Sequence, residues 1–395
     1  MSLPPAQPAY ILRGHAAAIH SASFMHSNRR LVTGDADGWI VVWSLETKRP
    51  VAVWRAHEGA ILGARSWGPE KLITHGKDNK LIVWNFREED EATMSVVLPV
   101  DTPPEPRKQP WLLHVLHVNT MNFCSFAQCT IQKPPSEDSP TTDELLIAVP
   151  NTMSSETVDI FHLPSEERIH TVPGDPSIKG GMVMAISLFP HPSNQHLTVI
   201  AGYESGHTSV SQLSSASQTW HVLYTAQPHS QPILSLDVSP CKDSYLTSSA
   251  DAIIAQHPIP DVSADDDQVV IRKAKEGTPL KTLQTKHAGQ QGLRVRNDAK
   301  IFATAGWDSK VRVYALKSLK ELAVLKWHKD GCYAVAFADV DGVGGTSAEK
   351  EEEGALVKRG GGALTVKEER IRRAKRTHWL VAGSKDGKVS LWDIY

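Results

Sequence analysis

Histidines, hydroxyls, acids and indoles recur along this chain at fixed distances, and together they could perform acid–base or nucleophilic chemistry. His15, Thr33 and Asp37, followed by Trp43, are the residue types of a hydroxyl–imidazole–carboxylate catalytic set. His57, Thr74, Asp78 and Trp84 repeat the set, as do His287, Thr304, Asp308 and Tyr314. Reduced versions stand at His229 with Asp251 and at His328 with Asp386 and Trp392. In all five copies the acid precedes a final ring by six residues, the ring of the weakest copy being His257. The His-to-Asp separations are 22, 21, 22, 21 and 58, and the last becomes 21 once the 37 residues 341–377 are set aside. An enzyme needs one such site rather than five. Repetition suits structure instead: a turn Asp accepting from His, with a Thr hydroxyl and a Trp N–H completing the chain, satisfies buried polar groups and ties strands together.

The elements that must position these residues follow from the same alignment. Leu31–Trp43 can be laid on Leu72–Trp84, Phe302–Tyr314 and Leu380–Trp392. Each segment reads as an apolar strand, a tight turn around Asp and an alternating strand, which is a β-hairpin. His15 and His57 are 42 residues apart, and His287 and His328 are 41 apart. Removing insertions near 87–106 and 261–276 brings the steps from His57 to His117 and from His229 to His287 to 40 and 42. A period of about 40–45 residues with such markers is the signature of WD40 repeats.

Two degenerate units fit between His117 and His229 when the Pro/Ser-rich stretch 130–143 is set aside. The first would run from Asn119 through Leu145–Pro150 to Phe161, and the second would use Met182–Ser187 and Leu197–Gly206. The expected fold is therefore all-β, a seven-bladed WD40 β-propeller with residues 1–395 as one domain. Open sheet edges invite aggregation, so the ring must close. Tyr10–Arg13 is the natural fourth strand for the final hairpin ending in Leu391–Tyr395.

Composition narrows the function. With 42 basic and 44 acidic side chains the formal charge is −2, which excludes a whole-molecule field attracting nucleic acid or an anionic membrane. No apolar run reaches 18 residues and no secretory leader is read at the N-terminus, so an intracellular protein is expected. Cys124, Cys129, Cys241 and Cys332 are spaced as reduced thiols rather than zinc ligands. Phosphate-loop, HExxH and GxSxG motifs are absent. No catalytic group, cofactor or metal is expected.

The insert 341–377 holds nine basic, seven acidic and seven glycine residues, a composition that reads as a mobile loop. Its basic end, Lys367–Arg376, reads as a solvated loop or short helix, with nuclear import or a partner contact as the sharper alternatives. The residues just before each turn Asp, namely Ala36, Lys77, Ala250, Trp307 and Lys385, should crowd one rim of the central channel. Trp307 is an unusual turn residue there. With Lys77 and Lys385 it forms the candidate partner-binding set.

Some words in the chain are more specific than the repeat. Asn122-Phe-Cys124, Ala148-Val-Pro150, Gly181–Met184, Ala201–Gly206, Ala303–Tyr314, Leu322–His328 and Ala382–Trp392 occur in that order. In them the chain resembles the ASTRA-associated protein 1 family of fungi, whose animal relative is a guanine-nucleotide-binding-protein β-like protein. The resemblance implies a non-catalytic scaffold subunit of the nuclear ASTRA complex, linked to chromatin remodelling. It further implies work beside a cochaperone trimer and AAA+ ATPases that mature large phosphatidylinositol-3-kinase-like kinases. The protein would be a monomer within that larger complex, in the nucleus and also the cytoplasm, without direct contact to nucleic acid or membrane. Two other classes remain as alternatives: a G-protein β-like signalling scaffold and a substrate receptor of a cullin-type ubiquitin ligase.

Overall fold

Strands buried along their whole length need cover on both faces, and the repeated hairpins supply such strands. Every residue of β3 (Arg30–Asp35) and β4 (Trp39–Ser44) is buried, whereas the next strand, β5 (Arg49–Arg55), is exposed at both ends. The computed structural model describes residues 6–101, 106–119, 123–131, 144–175, 178–261, 275–340 and 365–394. In these residues the chain forms seven antiparallel sheets, the blades of a β-propeller. The first blade is β2 (Ile19–Met25) with β3, β4 and β5. The second joins β6 (Ile61–Trp67), β7 (Lys71–Gly76), β8 (Lys80–Asn85) and β9 (Trp111–His117). The third holds β10 (Ala127–Ile131), β11 (Glu144–Pro150), β12 (Val158–Leu163) and β13 (Glu167–Val172).

The fourth blade is β14 (Val183–Pro190), β15 (Leu197–Tyr203), β16 (Thr208–Leu213) and β17 (Trp220–Ala226). A short fifth strand, β21 (Lys275–Glu276), runs parallel to β17 on its outer edge. The fifth blade is β18 (Ile233–Val238), β19 (Ser244–Ser249), β20 (Ile253–Pro258) and β22 (Lys281–Gln284). The sixth is β23 (Gln290–Val295), β24 (Ile301–Gly306), β25 (Lys310–Ala315) and β26 (Glu321–Lys326). In the seventh, β27 (Cys332–Phe337), β28 (Trp379–Ser384) and β29 (Lys388–Asp393) take β1 (Tyr10–Arg13) as outer strand, with Tyr10 opposite Leu391 and Arg13 opposite Lys388. The closure expected from the sequence is therefore the one the chain adopts.

The core lies between blades. Leu12, Trp379 and Leu391 of the seventh blade meet Ile19, Leu31 and Trp43 of the first in one cluster. Six further clusters join each of the other neighbouring pairs of blades, so apolar contact runs unbroken around the ring. Turn glycines set the spacing. Gly387 has φ +72°, and a Cβ there would lie 2.4 Å from the carbonyl oxygen of His15. The turn of the seventh blade thus tucks beneath the residue that opens the first.

Two expectations need adjusting. His117 ends β9, the outer strand of the second blade, so it opens no new unit. Asn119 holds that place, two residues beyond β9 as His57 is two beyond β5. The segment 261–276 contributes β21 rather than loop alone. Of the two readings of the basic end of the 341–377 insert, loop or short helix, the chain takes the helix, α1 (Val366–Arg376). A capping box between Thr365 and Glu368 starts α1, Ala374 is buried against the first and seventh blades, and the Asn28 amide donates to the carbonyl of Lys375. Residues 102–105, 132–143, 262–274 and 341–364 of the expected insertions, and Asn122, lie outside the described residues.

Candidate protein-docking face

The repeated polar sets are buried junctions. In the second blade His57 Nδ1 lies 2.8 Å from the Asp78 carboxylate and Nε2 lies 2.8 Å from the Thr74 hydroxyl. The indole N–H of Trp84 donates to that hydroxyl at 2.9 Å. A carboxylate on Nδ1 requires the proton there, so Nε2 accepts from Thr74, and each group uses its polar atoms on the next. Burial pushes the Asp78 carboxyl up, but the hydrogen bond and charge of His57 outweigh it and hold the group below the usual carboxylate range. Thr74 has no exposed surface, so no substrate reaches its hydroxyl.

Other blades build the junction with substitutions. In the first, Asp35 rather than Asp37 accepts from His15, at 2.7 Å, while Asp37 is exposed. The reason is steric. A Cβ on Gly76 would come within 2.3 Å of His57 and 2.7 Å of the Asp78 carboxylate, so glycine leaves room for the turn Asp to swing in. Asp35 stands at the corresponding strand end and fills that room itself. Thr33 then bridges His15 at 2.7 Å and Trp43 at 2.8 Å.

In the fifth blade His229 lies 3.2 Å from Asp251 and 2.8 Å from Thr247, and His257 replaces the indole at 3.1 Å from Thr247. Burial lowers the His257 pKa to about 3, so its ring is neutral.

The sixth blade departs most. His287 is 3.7 Å from Asp308 and partly exposed, and the buried Gln290 takes its place by accepting from the Thr304 hydroxyl at 2.7 Å. Asp308 pairs with the buried Arg312 at 2.6 Å, and Tyr314 stacks on Phe302 at 4.9 Å. In the seventh, Ala382 stands where other blades carry Thr, and its cross-strand partner Ser390 supplies the hydroxyl. Ser390 lies 2.8 Å from His328 Nε2 and accepts the Trp392 N–H at 2.9 Å, while Asp386 is 3.7 Å from His328. The third blade uses amides: Asn119 donates to the carbonyl of Asn151 at 2.7 Å, and Asn151 donates to the Asp159 carboxylate at 2.9 Å.

What these junctions hold in place is a rim. The backbone N–H of Ala36, Lys77, Ala250, Trp307 and Lys385 donates to Ala18, Ala60, Pro232, Gly289 and Gly331, each just ahead of an innermost strand. One hydrogen bond, repeated five times, brings the five turn residues to the same mouth of the channel. Glu204 makes the equivalent bond to Met182 in the fourth blade. It was missed because Ser205 replaces the Asp that marks the turn.

Trp307 is 47% exposed, and its indole N–H donates to the Gln291 side chain at 2.9 Å. The inner part of the ring lies on Gly289, where a Cβ would come within 2.1 Å of it. The indole is thus braced on one side and open on the other. The Lys77 ammonium sits 3.9 Å above the ring of Phe123, itself 61% exposed, an aromatic the turn spacing did not point to. Lys385 is exposed. A braced indole, an exposed phenyl ring and flanking ammonium groups can hold a protein surface, with aromatic anchors inside a charged border.

Among the described residues no group of three His, Cys, Asp or Glu side chains is placed to hold a metal, and no helix is long and apolar enough to cross a membrane.

Comparison with known proteins agrees with this reading along almost the whole chain. Residues 8–392 match the family model of ASTRA-associated protein 1. The ASTRA-associated protein 1 of Verticillium alfalfae is 52% identical over 391 residues, covering 98% of this chain and 93% of the relative. That of Pyricularia oryzae is 46% identical over 99% of this chain and 98% of its own length. The Schizosaccharomyces pombe protein is 31% identical over 84% of this chain and 93% of its own. Fold and relatives alike point to a non-enzymatic protein that works among other proteins. The chain belongs to the ASTRA-associated protein 1 family.

Proposed function

We propose that the protein is a non-catalytic scaffold subunit of the nuclear ASTRA complex and that its channel rim, centred on Trp307, is where a partner subunit docks. Through that complex it would serve chromatin remodelling and the maturation of phosphatidylinositol-3-kinase-like kinases, beside a cochaperone trimer and AAA+ ATPases. The observation that carries the reading is the match of residues 8–392 to the ASTRA-associated family, on a propeller whose reactive side chains are consumed in buried junctions. The rim supports the docking role because its aromatic and cationic side chains are displayed by turns that the junctions hold fixed.

The test is capture of the tagged full chain from fungal nuclear and cytoplasmic extracts, followed by mass spectrometry. ASTRA subunits, the AAA+ ATPases and the large kinases should co-purify at near-stoichiometric levels from the nuclear fraction. A cullin adaptor or a G-protein γ chain in their place would overturn the assignment.

A further inference from the structure

The innermost strands also line a cavity of about 430 Å3 along the ring axis, below the rim. That lies toward the lower end of the roughly 300–1,000 Å3 typical of small-ligand sites. Two guanidinium groups enter its lining, Arg65 from β6 and Arg294 from β23. Arg294 donates to its neighbour's carbonyl, Leu293, at 2.7 Å and to the Ser235 hydroxyl at 3.4 Å. Arg65 makes no hydrogen bond among the described residues; its guanidinium lies over the Phe126 ring, 5.7 Å from the centroid. Its fork of donors lines the channel with no protein acceptor among the described residues, which leaves it open to a ligand.

Among the described residues one acid faces the pair: Asp237 on β18, partly buried, attracts both guanidinium groups, while its two oxygens accept the backbone N–H groups of Val238 at 3.1 Å and Val295 at 2.7 Å. One carboxylate against two guanidinium groups leaves a positive excess. Burial and the charge of Arg294 lower the Arg65 pKa to about 10, against the opposing pull of Asp237, so Arg65 stays cationic at neutral pH. Asp339, the acid in the lining, is exposed. The Ser23 hydroxyl, also in the lining, is buried and has no hydrogen-bond partner. A net positive charge on two donor forks in a channel of this size matches a small oxygen anion.

We propose that the central channel binds a free, compact phosphate-type oxyanion through the guanidinium groups of Arg65 and Arg294. The site lies within the ring rather than on its face, so it does not depend on the docking assignment above. Bound anion would relieve the repulsion between the two arginines and link β6 to β23 across the channel.

Titration calorimetry of the purified full chain with inorganic pyrophosphate, at ionic strength held constant with sodium chloride, tests this. A saturable one-to-one heat is expected. Arg65→Gln and Arg294→Gln should each weaken it at least tenfold, whereas Lys385→Gln and Trp307→Ala should leave it unchanged. In chloride alone Arg65→Gln should melt at or above the wild-type temperature, because a guanidinium without a full counter-charge in a cavity adds no stability. If Arg65→Gln does not fold, the arginine is structural and the proposal fails for that residue; Arg294→Gln then decides for the channel. Absence of a saturable heat in the wild-type chain, or equal affinity in Arg294→Gln and Lys385→Gln, overturns the site.

Discussion

A hydroxyl at the centre of each junction does more than fill space, because it accepts one hydrogen bond and donates another at a point where three strands meet. Leaving any of its partners unpaired in the interior costs about 1–3 kcal/mol. This separates Asp35 from Asp37. Asp35 accepts from His15 and from the backbone N–H groups of Asp37 and Trp39. Asp35→Ala should therefore lose about 2–3 kcal/mol in urea unfolding, and Asp37→Ala about 0.5 kcal/mol or less. The reverse order would show that the turn acid is the true acceptor. The spacing made Asp37 the natural choice because it aligns with Asp78. What the alignment could not weigh is a side chain at the glycine position two residues earlier.

Buried histidines give the fold a pH dependence. His75 on β7 has no exposed surface and packs edge-on against Phe126, and burial lowers its pKa to about 3 from 6.5. The folded-state value lies below the unfolded one, so the unfolded chain takes up the proton first and stability falls as pH drops from 6.5 towards 3. The slope is about 1.4 kcal/mol per pH unit for one such histidine. His75→Leu should flatten the fall in stability between pH 6.5 and 5 by that amount, read from urea midpoints. An unchanged slope would mean that the ring is protonated in the folded state.

At the scale of elements, the hairpin turn is the part that repeats most faithfully and the part that joins blades. Gly38, Gly206 and Gly387 have φ of +84°, +84° and +72°, and a Cβ on each would meet a carbonyl oxygen of the next blade at 2.0–2.4 Å. Gly387→Ala should cost about 1–3 kcal/mol from backbone strain alone, more if the closing turn cannot shift. Gly68 is exposed and also has a positive φ, +63°, so Gly68→Ala carries the backbone strain without a neighbouring blade to clash with, and Gly387→Ala should lose more. Equal losses in differential scanning calorimetry would remove the turn from the account of closure. The well-marked blades were legible because period, turn and ring position agreed. The third was not, since Asn119, Asn151 and Asp159 perform with amides what His, Thr and Trp perform elsewhere. The basic stretch of α1 was legible as a loop or short helix, but its docking was not, since that depends on Ala374 and on Asn28, which is remote in sequence.

For the whole molecule, closure is a contact between the two ends of the described chain. Removing residues 1–13 takes away β1, exposes the edge of β29 and strips Leu12 from the cluster between the first and seventh blades. Aggregation or a marked fall in melting temperature is expected, since an uncovered edge strand pairs with other chains. A melting curve equal to that of the full chain would refute the latch.

Ring closure matters for function because it fixes where the five rim turns stand relative to one another. If the rim is the docking surface proposed above, Trp307→Ala should weaken partner binding without unfolding the ring. The indole is half-exposed and braced by Gln291, so its removal should leave the melting temperature within a few degrees of wild type. Partner affinity should fall by about 2 kcal/mol, as expected for an interfacial tryptophan anchor. The measurement is quantitative capture of ASTRA subunits by the variant and the wild type at matched concentration, with Asp37→Ala as a surface control. A loss of roughly thirtyfold in affinity with stability kept is the predicted result. A stable variant that still captures every partner at wild-type levels would contradict the claim.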